Sequence, residues 1–137
     1  MAFNRATVFG GTGFLGRRIV ERLLVDFGEV RVAARRPLNS DFERPPGTGG
    51  RAVLVTADIG DTASTVSVVE SCDTVVNAVG LYIEQGDATF QSVHVDGAAR
   101  LAMTASQAGV SRLIHNTGIG ADPRSGFLRL RSRDDAL

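Results

Sequence analysis

Apolar residues recur along the chain in two alternating rhythms. Five short runs read as buried strands: Ala6–Phe9, Val30–Ala34, Ala52–Val55, Thr74–Asn77 and Arg112–His115. Between them the spacing lengthens to that of a helix. Leu15, Ile19 and Leu23, backed by Val20 and Leu24, form one apolar face, with Arg17, Arg18, Glu21 and Arg22 outside and Gly28 as the expected stop. A short helix is expected from Thr62 to Glu70 with Asp61 as its cap. Phe90, Val93, Gly97, Leu101, Thr104, Ala105 and Ala108 mark a third helix that Gly109 closes. The segment Arg35–Arg51 holds Pro37, Pro45, Pro46, Gly47, Gly49 and Gly50, and reads as a long connection with at most a short helical piece.

Strands alternating with helices require right-handed crossovers, and so a parallel sheet covered on both faces. The predicted class is α/β: a doubly wound, Rossmann-type sheet of five strands in the order 3-2-1-4-5. Its ligand crevice belongs at the carboxyl ends of the strands. Residues 1–122 read as one nucleotide-binding domain. Residues 123–137 read as a charged tail, helical or frayed.

Composition removes several classes of function. The 15 basic residues balance 15 acidic ones, so no net field recruits nucleic acid or an anionic membrane. All 15 are arginine. Without lysine there is no Schiff-base lysine and no lysine of a triphosphate loop. A single cysteine, Cys72, makes no internal disulfide, and two distant histidines, His94 and His115, do not suggest a metal site. No run approaches the roughly 20 apolar residues of a membrane span. With no signal-peptide pattern at Met1–Arg5, the expected location is the cytoplasm.

Gly11-x-Gly13-x-x-Gly16 directly follows a strand and opens a helix, the context that gives this pattern meaning. Gly11 can make the tight turn, Gly13 lets a pyrophosphate approach the backbone, and Gly16 allows close helix packing. The helix start then offers free N–H groups and a positive dipole end. At the end of the second strand, where an acid would bind a ribose 2′-hydroxyl, stand Arg35 and Arg36. Two guanidiniums suit a 2′-phosphate, so NADP(H) is expected in preference to NAD(H). The blander reading is a solvated arginine pair.

With these residues in hand, the chain resembles the short-chain dehydrogenase/reductase superfamily in its extended or atypical branch. It is most similar to proteins like the 39-kDa NADPH-binding subunit of respiratory complex I and to NmrA-like NADP sensors. The likeness runs from Ala6 to about Asp122 through Gly10–Gly16, Ala57-Asp58-Ile59, Asn77–Gly80, Val93–Ala98 and Gly109–Gly118. It implies that Gly10, Gly11, Gly13, Phe14, Leu15 and Gly16 wrap the pyrophosphate, and that Arg35 and Arg36 face the 2′-phosphate. Asp58 and Ile59 would contact the adenine. Ala78, Val79 and Gly80 would line the path to the nicotinamide. Thr117 falls where the family's enzymes place a catalytic Ser or Thr. Read alone, Asp58 is as well explained as a turn or helix cap.

The departures bear on activity. The family's enzymes use a Tyr-x-x-x-Lys pair after the fifth strand, the lysine lowering the tyrosine pKa. Here that place offers Phe127 and Arg131, and the one tyrosine, Tyr82, precedes the third helix. The family's helix asparagine is matched by His94, for which a buried histidine satisfied by hydrogen bonds is the simpler reading. The family's further strands and substrate region find no counterpart after Asp122. A fifth strand without a neighbour exposes an edge, favouring a protein partner or self-association.

Three functions follow as expectations. The first is a non-catalytic NADP(H)-binding sensor or subunit. The second is an oxidoreductase or epimerase-type enzyme using Thr117, with Tyr82, His94 or water as proton donor. The third is an interaction module with a vestigial nucleotide site.

Overall fold

The first apolar run becomes the centre of a sheet. β1 (Arg5–Phe9) pairs in parallel with β2 (Glu29–Ala34) on one side and β4 (Thr74–Asn77) on the other. β3 (Arg51–Thr56) extends the β2 side and β5 (Arg112–His115) the β4 side, giving the order β3-β2-β1-β4-β5. This is the doubly wound order expected from the alternation of rhythms. The computed structural model describes residues 4–37, 42, 46–81, 84–117 and 124. The tail expected after residue 122 lies outside them apart from Arg124, as do parts of the connection after Arg35.

Each face of the sheet buries its own cluster. Val8, Val30, Val32 and Val76 pack against Val20 and Leu24 of α1 (Phe14–Leu23) and the turn after it. On the other face Phe9, Ala33 and Val75 meet Val68 and Val69 of α2 (Thr62–Val69) and Leu101 of α3 (Ala98–Gln107). Asp61 caps α2 as expected: its side chain accepts from the Ser64 N–H at 3.3 Å. Gly109, at φ +72°, follows α3 and closes it.

Three local expectations are corrected. The buried face of α1 runs through Gly16, Val20 and Leu24, while Leu15 is 44% exposed. A glycine is the buried member of the first turn because the preceding loop backbone lies against it. α1 also ends at Leu23, before Gly28, which is not in the left-handed region. Finally, the third helix is not uniform: Gln91–Gly97 is π-helical and only then continues as α3.

β5 is an edge strand. Leu113 and Ile114 are 38% and 44% exposed, unlike the fully buried β4 beside it. Among the described residues, no helix is long and apolar enough to cross a membrane.

Candidate functional site

The carboxyl ends of β1, β2, β3 and β4 open into a cleft of about 280 Å³. It lies where the strand order reverses between β1 and β4, the switch point at which doubly wound sheets hold ligands. Its floor is the loop from β1 to α1. Gly10 N–H donates to the Ala33 carbonyl at 3.0 Å, and the Gly10 carbonyl accepts from Gly13 N–H at 3.1 Å. Gly10 sits at φ +74°, and a Cβ there would meet the Ala78 carbonyl oxygen at 2.8 Å. The tight turn therefore falls on Gly10 rather than Gly11, which packs inward against Val32 and Val20. A Cβ on Gly16 would run into the Gly10 carbonyl and the Gly11 Cα, so α1 rests directly on the loop.

Gly13 stands exposed at the rim and begins α1 with no side-chain cap. The first helical bond is Arg17 N–H to the Gly13 carbonyl at 2.9 Å. The N–H groups of Phe14, Leu15 and Gly16 precede it and lack intrahelical partners. No acidic residue occupies the first turn, so the dipole end is not neutralised. The Phe14 side chain is 88% exposed and neither it nor Leu15 lines the cleft; what these residues present is backbone.

Arg35 lines the cleft, and Arg35 and Arg36 together line an adjoining recess with Thr12, Ala34, Asp58 and Gln85. Both are exposed, and neither forms an ion pair among the described residues. Asp58 meets both of its sequence readings. Its Oδ1 accepts from Gly60 N–H at 2.8 Å and its carbonyl from Asp61 N–H at 2.9 Å, shaping the turn into α2, while the residue lines the cleft. Ile59 is buried in the same wall, and its carbonyl accepts from Arg100 at 2.9 Å.

Ala78, Val79 and Gly80 form the opposite wall. Val79 N–H donates to Asn77 Oδ1 at 3.2 Å, and Leu81 N–H donates to His94 Nε2 at 3.1 Å. His94 is 5% exposed and its ring stacks on Phe90 at 5.8 Å. Thr117 Oγ1 is buried and has no hydrogen-bond partner among the described residues. Thr117 follows Asn116, which shares a small cavity with Asn77, Val79, Val93, His94 and His115. Tyr82, Phe127 and Arg131 lie outside the described residues.

Thr12, Ala33, Ala34, Ala57, Leu81, Ala88 and Val93 also line the cleft and carried no chemical signal in the sequence. The one available hint was the run of alanines at the ends of β2 and β3, where larger side chains would fill the space.

The amino ends of the strands have a different character. Glu29 accepts from Arg5 Nε at 2.6 Å and Arg51 Nη2 at 2.6 Å, with Arg31 Nε at 3.5 Å. The Arg51 and Arg5 guanidiniums hold its carboxyl below the usual range, against the opposing effect of burial. Arg31 also donates to the Val68 and Glu70 carbonyls, each at 3.0 Å, satisfying the end of α2.

A family described as NAD(P)H-binding matches residues 10–135. The mitochondrial 40 kDa subunit of NADH-ubiquinone oxidoreductase from Neurospora crassa is 36% identical over 122 residues, covering 89% of this chain and 32% of its own. The dTDP-6-deoxy-L-talose 4-dehydrogenase (NAD(P)(+)) of Kitasatospora kifunensis is 36% identical over 114 residues, covering 81% and 34%. Uronate dehydrogenase from Agrobacterium tumefaciens superposes with a TM-score of 0.80 at 23% identity, over 99% of this chain and 54% of that one. The chain spans about a third of the length of the curated relatives it matches. With the glycine cradle, the uncapped helix start and the switch-point cleft, the match over residues 10–135 makes this chain a member of the NAD(P)H-binding family, a Rossmann-fold protein related to complex I subunits and to NAD(P)-dependent dehydrogenases.

Proposed function

We propose that the cleft binds NADP(H) and that this chain by itself is a nucleotide-binding sensor or subunit without hydride transfer of its own. One observation carries the cofactor choice: Arg35 and Arg36 end β2 beside the cleft, unpaired among the described residues, where a carboxylate would select NAD. The pyrophosphate would rest on the Gly10–Gly16 backbone, where the exposed Gly13 lines the cleft at the uncapped start of α1. When bound, the nicotinamide supplies a hydride donor or acceptor. The chain's own residues bind and orient it. Their proton supply is what argues against turnover. Without lysine in the chain, no residue performs the pKa lowering that the family's tyrosine requires, and Phe127 has no proton to give.

Similarity to subunits of NADH-ubiquinone oxidoreductase supports a role inside a larger assembly, with the exposed β5 edge as a surface for a protein partner. Denaturing the purified protein and identifying the released nucleotide by mass spectrometry tests the binding. Release of NADP(H) is expected; retention of NAD(H) alone refutes the cofactor assignment. A second reading, an oxidoreductase or epimerase-type enzyme, is favoured by the buried, unpartnered Thr117 hydroxyl. Steady NADPH oxidation against an aldehyde, ketone and quinone panel, abolished in Thr117→Ala, would establish it.

A further inference from the structure

The wall of the cleft formed by Val79, Gly80 and Leu81 is not part of the sheet, and two side chains tie it down. At one end Val79 N–H donates to Asn77 Oδ1, and at the other Leu81 N–H donates to His94 Nε2. A backbone N–H can only donate, so both acceptors are fixed by chemistry. His94 Nε2 must carry a lone pair, which puts the proton of the neutral ring on Nδ1. The Asn77 amide is fixed in turn. With Oδ1 facing Val79, its Nδ2 faces His115 Nδ1 at 3.2 Å and donates to it. His115 therefore accepts at Nδ1 and carries its proton on Nε2. Of the chain's two histidines, His94 holds one end of the strap directly, and His115 acts on the other end through Asn77, each through an unprotonated ring nitrogen.

The local backbone is shaped for this contact. His94 sits in the middle of the π-helical Gln91–Gly97 segment, a rare geometry that is frequent at functional sites. It is buried, and Phe90 stacks on its ring.

We propose that His94, seconded by His115 through Asn77, is a positioning residue for the dinucleotide, and that protonating these rings unlatches the Val79–Leu81 strap and weakens binding. The inference rests on the nucleotide reading above. An imidazolium has no acceptor, so it loses its tie and turns an N–H against the N–H that it held. Binding should in turn lower the histidine pKa values, because coupling is reciprocal. Charged and titratable groups on the elements packed around the rings include the following. The two histidines line one small cavity from the π segment and from β5. Glu84 accepts from Phe90 N–H at 3.0 Å, and Asp96 on the π segment is held by Gln91 at 3.2 Å. Charging one ring disfavours charging the other.

The experiment combines calorimetric titration of NADPH and NADH between pH 5.5 and 8 with long-range proton–nitrogen NMR of the rings. The proteins are wild type, H94F, H94Q and H94Q/H115N. Glutamine can accept where Nε2 does and asparagine where Nδ1 does, without titrating. Losing a net hydrogen bond predicts about threefold to tenfold weaker binding for wild type at pH 5.5 than at pH 8, beyond any change in H94Q/H115N. H94F should be weak at both pH values, and H94Q should recover most of that loss. NMR should find opposite tautomers: the proton on Nδ1 of His94 and on Nε2 of His115. Parallel pH profiles in wild type and H94Q/H115N, or the reverse tautomers, overturn the proposal. If no protein binds either dinucleotide at pH 8, the nucleotide reading falls, and the tautomers alone decide whether the strap is latched as described.

Discussion

Replacing Arg35 and Arg36 together by alanine should remove the preference for NADP(H) while leaving the fold intact. A hydrogen bond to a charged group contributes about 1.5–3 kcal/mol when sheltered. Both guanidiniums are exposed, so screening brings each toward the ~0.5–1 kcal/mol of a surface pair. Two such contacts amount to about 1–2 kcal/mol, or roughly 5- to 30-fold in affinity for NADPH. NADH lacks the 2′-phosphate and should weaken by no more than about twofold. Because neither side chain is buried or ion-paired among the described residues, stability should move by less than about 0.5 kcal/mol. Calorimetry at low and high salt adds a second check, since an exposed charge contact fades as the Debye length shrinks. Equal affinity of the wild type for NADPH and NADH, or a preference that survives the double substitution, refutes the reasoning.

Gly13→Val should keep the circular-dichroism spectrum yet bind dinucleotide at least about tenfold more weakly. A Cβ there meets little but the Gly10 carbonyl at 3.3 Å, but it occupies the pyrophosphate's approach. Glu29→Gln should lower stability by about 1–2 kcal/mol, or roughly 3–7 °C in Tm, because two of the guanidiniums it joins are partly exposed. Since its folded pKa is depressed, the contribution is present above the ordinary value of 4.5 and lost as pH falls through the folded value; a wild-type advantage that does not shrink as pH falls below 4.5 contradicts this. Cys72 is 4% exposed and burial pushes its thiol up, so a thiol reagent should label it only after unfolding. Fast labelling of the native protein would show the pocket around Thr7 and Val68 to be open.

The strands were legible because a parallel sheet covered on both faces leaves short, nearly continuous apolar runs. β4 and β5 fall at the very residues that the pattern marks. The helix faces were less legible, because side-chain size misleads where backbone meets backbone. Gly16 has no side chain to count as apolar, yet it is buried under the loop, while Leu15 beside it reaches solvent. The pattern puts the tight turn on Gly11, one position late in the double glycine, and the positive φ and crowded Cβ space of Gly10 place it there instead. The π-helical stretch was invisible for a related reason. Phe90, Val93, Gly97 and Leu101 keep helical spacing whether or not a turn is widened between them, so periodicity carries no mark of it. In the site, glycine and arginine announced themselves by chemistry. Val93, Leu81 and Ala88 line the cleft through shape alone.

The arginines explain why those at residues 35 and 36 deserve more weight than their number suggests. Charge is balanced over the chain, and the fold uses that balance unevenly. At the amino ends of the strands Arg5, Arg31 and Arg51 converge on Glu29, and Arg31 also satisfies the end of α2. On α1, Arg17, Arg18 and Arg22 lie beside Glu21 or Asp26. Arg100 holds the Ile59 carbonyl. In each case a guanidinium has a carboxylate or a carbonyl within reach. Among the described residues the exposed Arg112 of β5 and, beyond the carboxyl end of β2, the adjacent Arg35 and Arg36 form no ion pair, and the recess that the latter two line includes a single carboxylate, Asp58. Two adjacent positive charges facing one carboxylate leave a net positive recess near an uncapped helix start, and an anion arriving there is attracted by both. The asymmetry between the two ends of one strand, β2, with Glu29 gathering cations at its start and Arg35 and Arg36 without an ion pair after its end, is what supports the proposal that the recess takes a doubly charged phosphate.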